Sequence, residues 1–233
     1  MEIKVFADPD STAREAAHFI ASEARHAVAE RGRFVAAFSG GHSPWLMLRA
    51  LADEEVPWNK VYIVQVDERV APAGDPGRNL THLRESLLDH APIPSGHIYA
   101  MPVEAPNLSA AAAEYASTLQ DVVGTPPVFD LVHLGLGPDG HTASLVPGDP
   151  VLEIASADVG VTRVYQGHRR MTLTYPILNR ARRILWLVTG ADKAEMLVRL
   201  RSSDDSIPAG RLRQDKALIL ADQAAAARLG EGV

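Results

Sequence analysis

DLVHLGLGPDGHTASLVPG, residues Asp130 to Gly148, is an apolar run that breaks abruptly into glycines, an Asp and a His. Phe129 to Leu134, FDLVHL, reads as a buried parallel strand. Gly135, Gly137 and Gly140 follow it where the chain has to turn sharply, a demand that residues with a Cβ resist. A strand of this kind delivers Asp139 and His141 to its carboxyl end. In open α/β sheets the crevice beyond those ends is where ligands bind. Thr142 and Ser144 add hydroxyls close by. Taken alone, the segment also admits a plain glycine-rich turn with a surface His.

Two apolar runs upstream end in the same manner. Arg33 to Phe38, RFVAAF, reads as a strand that passes into Ser39-Gly40-Gly41-His42-Ser43-Pro44 before the apolar helix WLMLRAL. The free N–H groups at a helix start, reinforced by its dipole, form an anion site that needs no net positive charge. Ser43 suits the N-cap and Pro44 the first turn, while Gly40 and Gly41 leave room for a phosphate against the main chain. An ordinary tight turn between strand and helix is the competing reading. The loop lacks the Gly-Lys-Ser/Thr ending of a Walker loop and the GxGxxG dinucleotide pattern, so no nucleotide is implied. Val61 to Val66, VYIVQV, is the second run, and it empties into Asp67-Glu68-Arg69 at the sheet edge expected for His141. A solvated loop with a surface ion pair is the alternative there.

Around these segments strands and helices alternate. Ile3 to Ala7 reads as a strand, and Asp8 to Ser11 caps a long helix reaching Arg31, with Ala16, Phe19, Ile20, Ala24, Ala27 and Val28 at helical spacing. Further helices are expected over Asn79 to His90, Asn107 to Val122 and Tyr175 to Ala181. Short strands are expected at His97 to Met101, Val161 to Tyr165, Ile184 to Thr189 and Leu218 to Leu220. Gly190-Ala191-Asp192-Lys193 opens a helix bearing Met196, Leu197 and Leu200, and offers Lys193 to a shared site. Asp222 can cap a closing alanine-rich helix. The alternation predicts an α/β fold, a mostly parallel sheet with helices on both faces. With no linker to divide it, residues 1–233 read as a single domain.

A net charge of -6 and a pI near 5.8 argue against nucleic acid as a partner. The absence of cysteine excludes a disulfide framework and thiolate catalysis, and fits a reducing compartment. No basic leader and no run of ~20 apolar residues stands in the chain, so a cytoplasmic protein without a membrane partner is expected. No HExxH or paired-Cys spacing calls for a metal. The nine His are scattered; only His141 is framed by glycines after a buried strand, with His42 as a second possibility.

Five segments together resemble one family. GLGPDGHTASLVPG at 135–148, SGGHSP at 39–44, VDERVAP at 66–72 with Asp75 and Asn79 following, RMTLTYPILNRARRILWLVTGADKAEML at 170–197 and, more weakly, IPAGRL at 207–212 occur in the order found in the 6-phosphogluconolactonases. The resemblance implies a Rossmann-like α/β fold shared with glucosamine-6-phosphate isomerases and deaminases. It implies hydrolysis of 6-phosphoglucono-δ-lactone, a small sugar phosphate of the oxidative pentose phosphate pathway, without cofactor or metal. By the same resemblance His141 is the general base, accompanied by Asp67 and Asp139, and the phosphate falls to Gly40, Gly41 and Ser43 with Arg69, Arg170 and Lys193 as cationic candidates. An imidazole, with an ordinary pKa near ~6.5, can both take a proton from water and return it to the leaving oxygen.

Departures from the family pattern are His42-Ser43 for a common Ser-Thr, Arg78 for Ser, Val146 for Phe and Gly210 for Ser. Arg78 can add phosphate affinity or face solvent. Two competing functions stand beside the lactonase. A deaminase or isomerase shares GxGxDGH but continues toward Ile-Ala-Phe-Asn-Glu, whereas this chain continues Thr-Ala-Ser-Leu-Val-Pro. A non-catalytic sugar-phosphate sensor is the other. The sequence leaves the oligomeric state open.

Overall fold

The computed structural model describes residues 1–230. Seven strands form one parallel sheet: β1 (Glu2–Phe6), β2 (Phe34–Phe38), β3 (Val61–Gln65), β5 (Ile98–Tyr99), β6 (Leu131–Leu134), β9 (Arg183–Val188) and β10 (Ala217–Asp222), in the order β1-β10-β9-β6-β2-β3-β5. Because side chains alternate across a strand, β2 sends Phe34, Ala36 and Phe38 to one face and Val35 and Ala37 to the other. The first face packs on α1 (Pro9–Arg31), α2 (His42–Ala52) and α3 (Asn79–Leu83), through Ala16, Ile20, Ala24, Met47, Leu51 and Leu83. The opposite face packs on α4 (Leu108–Val123), α5 (Tyr175–Arg180) and α6 (Ala194–Arg201), through Tyr115, Leu119, Ile177, Leu178, Leu197 and Leu200. The mostly parallel sheet with helices on both faces is thus as the sequence predicts.

Local chemistry explains where elements begin. Asp8 and Ser11 form a reciprocal capping box at α1, the Asp8 carboxylate accepting from Ser11 N at 2.7 Å, and Gly32 ends the helix in the left-handed region at φ 74°. Asn107 Oδ1 accepts from Ala110 N and starts α4. α3 takes its cap from a distance: the buried Glu68 carboxylate accepts the N–H groups of Asn79 and Leu80 at 2.7 and 2.8 Å. An anion there also complements the helix dipole. Arg78 is itself buried and pairs with Glu68 at 3.3 Å, so it neither faces solvent nor enters the crevice.

Four expectations need correction. The helix after the first glycine loop begins at His42 with Gly41 as its N-cap, and Ser43 Oγ is bonded to Thr189 Oγ1 instead of capping. The helix foreseen over Asn79 to His90 is α-helical only to Leu83 and widens into a π turn over Arg84–Leu88. Gln223 to Gly230 forms turns and no helix, although Asp222 makes the capping contact, its carboxylate accepting from Ala225 N at 2.7 Å as well as from Gly190 N at 3.1 Å. The strand expected over Val161 to Tyr165 lies earlier, as β7 (Val159–Val161), in a second, antiparallel sheet β4-β8-β7 built with β4 (Asp67–Arg69) and β8 (Arg170–Leu173). Val159, Met171 and Leu173 fall into the core, which fixes that register, whereas Val164 is exposed. Among the described residues, no helix is long and apolar enough to cross a membrane.

Candidate active site

The chain runs outward from β2 to β3 and β5, returns to β6 beside β2, and then runs the other way to β9 and β10. This reversal makes the gap between β2 and β6 the switch point at which parallel α/β sheets bind ligands. A cavity of about 450 Å³ opens there, lined by the residues that follow β2, β3, β6 and β9. Eight of the nine residues predicted from the sequence line it: Gly40, Gly41, Ser43, Asp67, Arg69, His141, Arg170 and Lys193. The ninth, Asp139, is bonded directly to His141.

His141 is set by a tight loop. Gly137 N donates to His141 O and Gly140 N to Gly137 O, with Gly140 at φ 81°. The imidazole lies on the α-carbon of Gly137, where a Cβ would come within 2.0 Å of Nδ1. The 207–212 segment buttresses this loop from behind: Ala209 N donates to Gly140 O, and Ile207 fills the space beside Gly140. His141 Nδ1 lies 2.5 Å from Asp139 Oδ1. With Nδ1–H donating to the carboxylate, Nε2 carries the free lone pair. Partial burial alone would raise the Asp139 carboxyl, but the charge and hydrogen bonds of His141 and the Tyr165 hydroxyl outweigh it and hold Asp139 below the usual carboxylate range.

Asp67 has the opposite environment. It is buried, and burial pushes its carboxyl up against the opposing hydrogen bond from Ser144 and the attraction of Arg170. Ser144 Oγ donates to Oδ2 at 2.6 Å and Asn79 Nδ2 to Oδ1 at 3.2 Å. Asn79 Oδ1 lies directly over Gly40, where a Cβ would meet it at 2.1 Å. Asp67 therefore ties the end of β3 to the glycine loops after β2 and β6.

The cavity also gathers positive charge within a protein of net charge -6. The first turn of α2 has no side-chain cap, so its N–H groups are free for an anion. Arg170 is buried, its Nε has no hydrogen-bond partner, and desolvation lowers its affinity for the proton. Arg69 donates to Gly77 O, and Lys193 Nζ pairs with Asp192 at 2.7 Å. His42 stands exposed at the rim, edge-on to Trp45. His133, by contrast, is wholly buried in β6, and burial drives it down to about 3, so it stays neutral as a packing residue.

Residues that the sequence reading did not assign to the site are Asn79, Tyr165, Gln166 and Thr189. Asn79 had a visible signal, a polar residue opening a helix just after an acidic strand end. Tyr165 and Gln166 had none, because a two-residue hairpin turn brings them in. Among the described residues, no group of three or more His, Cys, Asp or Glu is placed to hold a metal ion.

A family model described as "Glucosamine-6-phosphate isomerases/6-phosphogluconolactonase" matches residues 7–220. A 6-phosphogluconolactonase of Nostoc sp. is 34% identical over 231 residues, covering 95% of this chain and 96% of its own length. One of Synechocystis sp. is 39% identical over 175 residues, covering 73% of this chain and 72% of its own. The solved structure of 6-phosphogluconolactonase from Trypanosoma brucei superposes with a TM-score of 0.85 at 27% identity, covering 98% of each chain.

Proposed function

The chain belongs to the glucosamine-6-phosphate isomerase/6-phosphogluconolactonase family, and from that premise we propose that it hydrolyses 6-phospho-D-glucono-1,5-lactone to 6-phosphogluconate with His141 as general base. The observation that carries the reading is the pairing of His141 Nδ1 with Asp139 beside a cavity that also holds the uncapped start of α2 and three cationic side chains. Nε2 takes a proton from water as the water oxygen attacks the lactone carbonyl. The carbon–oxygen bond to the ring oxygen then breaks, and that oxygen recovers the proton from the imidazolium. Asp139, held ionised, steadies the positive charge on the ring between the two transfers.

The phosphate is the handle. Gly40, Gly41, Ser43 and the α2 N-terminus offer N–H groups, while Arg69, Arg170 and Lys193 supply charge. Binding energy from this remote group positions the carbonyl over His141. Two cores on opposite faces of one sheet support reading the chain as a single domain. A cytoplasmic location belongs to the same proposal.

The test is direct. The δ-lactone is generated in situ by glucose-6-phosphate dehydrogenase, and its disappearance is followed against spontaneous hydrolysis. Acceleration at micromolar protein is expected. No acceleration refutes the reading, and ammonia release from glucosamine 6-phosphate would redirect it to the deaminase branch.

A further inference from the structure

Between β7 and β8 the chain forms a hairpin whose two turn residues, Gln166 at φ 49° and Gly167 at φ 84°, both occupy the left-handed region. Tyr165 and His168 flank the turn and bond to each other through N–H to carbonyl contacts of 2.9 and 3.2 Å. This is the twisted two-residue turn suited to an antiparallel pair. It projects Tyr165 over His141, edge to face at 5.7 Å, and directs Gln166 into the cavity.

The polar atoms of the hairpin form a continuous chain. An Arg170 guanidinium nitrogen donates to Gln166 Oε1 at 3.4 Å, and the Arg170 guanidinium lies 5.2 Å from the centre of the Tyr165 ring. Gln166 Nε2 donates to the Tyr165 hydroxyl at 3.2 Å, which leaves that hydroxyl's own proton for Asp139 Oδ2 at 3.0 Å. Asp139 Oδ1 is engaged by His141 Nδ1. Each oxygen of a carboxylate on a half-exposed loop is thus held by a different segment. Without the hydroxyl only Oδ1 is held, by His141 Nδ1 and by the His141 backbone N–H at 3.1 Å, and Oδ2 has no partner to fix the carboxylate plane against which the imidazole is set.

We propose that Tyr165 is a positioning residue for the Asp139–His141 pair, fixing the carboxylate through its hydroxyl while Gln166 and Arg170 fix Tyr165. The proposal rests on the reading of His141 as the base. It adds a physical route from the cationic side of the cavity to that base, carried by a hairpin outside the parallel sheet. Arg170 thereby meets the phosphate handle and the support of the base in one side chain.

Tyr165→Phe tests it, since the ring remains and only the hydroxyl goes. Loss of a hydrogen bond to a charged group predicts kcat lower by about tenfold, with KM within about twofold of wild type. Without the hydroxyl Asp139 loses one of the contacts that hold it low, so the ¹³C titration of the Asp139 carboxyl moves upward in pH. In an Asp139→Asn background Tyr165→Phe is expected to change nothing further. An unchanged kcat, or a full independent loss in the Asp139→Asn background, overturns the proposal. The NMR titration needs no substrate, so an unmoved carboxyl curve sinks the contact itself. Wild-type protein inert toward the lactone would instead sink the proposed function.

Discussion

Gly137→Ala adds one methyl group and is expected to disable His141 without altering it. Gly137 has no positive φ, so alanine fits its backbone. Space is the obstacle, because the new Cβ would lie 2.0 Å from His141 Nδ1, 2.2 Å from Cε1 and 2.6 Å from Cγ, where ordinary contact begins at 3.4 Å. The ring must retreat by about 1.4 Å, the difference between 2.0 and 3.4 Å, and that breaks the 2.5 Å contact with Asp139. Misplacement by ~1 Å is enough to cost ~10²-fold in rate, about 2.7 kcal/mol of barrier. The clash falls on a side chain able to swing toward solvent, so the stability penalty stays at the low end of the ~1–3 kcal/mol typical of overpacking. The assay is lactone hydrolysis corrected for background, together with thermal unfolding and 6-phosphogluconate binding by calorimetry. A fall of about a hundredfold in kcat with product binding retained is expected. A variant within about threefold of wild type would refute the reasoning, as would a loss of rate matched by a loss of product binding.

His141→Asn is expected to fold normally, to bind 6-phosphogluconate and to lose ~10²–10⁴-fold in kcat, measured in the same assay. Arg170→Met keeps a long buried side chain but removes the charge. Its specificity constant should drop at least about tenfold for the phosphorylated lactone and by clearly less for unphosphorylated gluconolactone, which loses only the support Arg170 gives to Tyr165. Asp204 is held down to about 2 by hydrogen bonds from Arg199 and Ser206, so its stabilisation is present above the ordinary value of 3.8 and lost as pH falls through about 2. Wild type should therefore unfold at a higher temperature than Asp204→Asn at neutral pH, with the gap closing between pH 4 and pH 2 in parallel melts.

The parallel sheet was legible because its strands are apolar on both faces: RFVAAF, VYIVQV and ILWLVT stand out in any window. The site was legible for the same reason, since polar residues directly after such strands have one destination, the carboxyl edge. Contacts made through short, mixed strands were not. β4 is Asp-Glu-Arg and β8 begins with Arg, sequences with no β signature of their own, yet β8 pairs with β4 and buries Met171 and Leu173. The hairpin of Tyr165 and Gln166 depends on a Gln in the left-handed region, which composition does not announce. Ser43 misled as a cap because its hydroxyl had a better partner in Thr189, 146 residues away. The closing helix did not form even though Asp222 accepts from Ala225 N as a cap would, so a cap signal alone did not decide that segment.

The opposite shifts of the two carboxylates divide the labour in the proposed mechanism. Proton transfer by an imidazole needs a neighbour that stays ionised throughout, and Asp139, held low by His141 and Tyr165, meets that need. Burial pushes Asp67 up and makes it the more basic carboxylate, but both its oxygens are engaged, Oδ2 by Ser144 and Oδ1 by Asn79, so it is poorly placed to take a proton from water. His141 Nε2, in contrast, makes no hydrogen bond among the described residues. Asp67 instead joins three strand ends, because Asn79 hangs over Gly40 and Ser144 belongs to the loop that bears His141. Removing Asp139 therefore disables one side chain, whereas removing Asp67 loosens the junction that sets the spacing between the phosphate loop and the base.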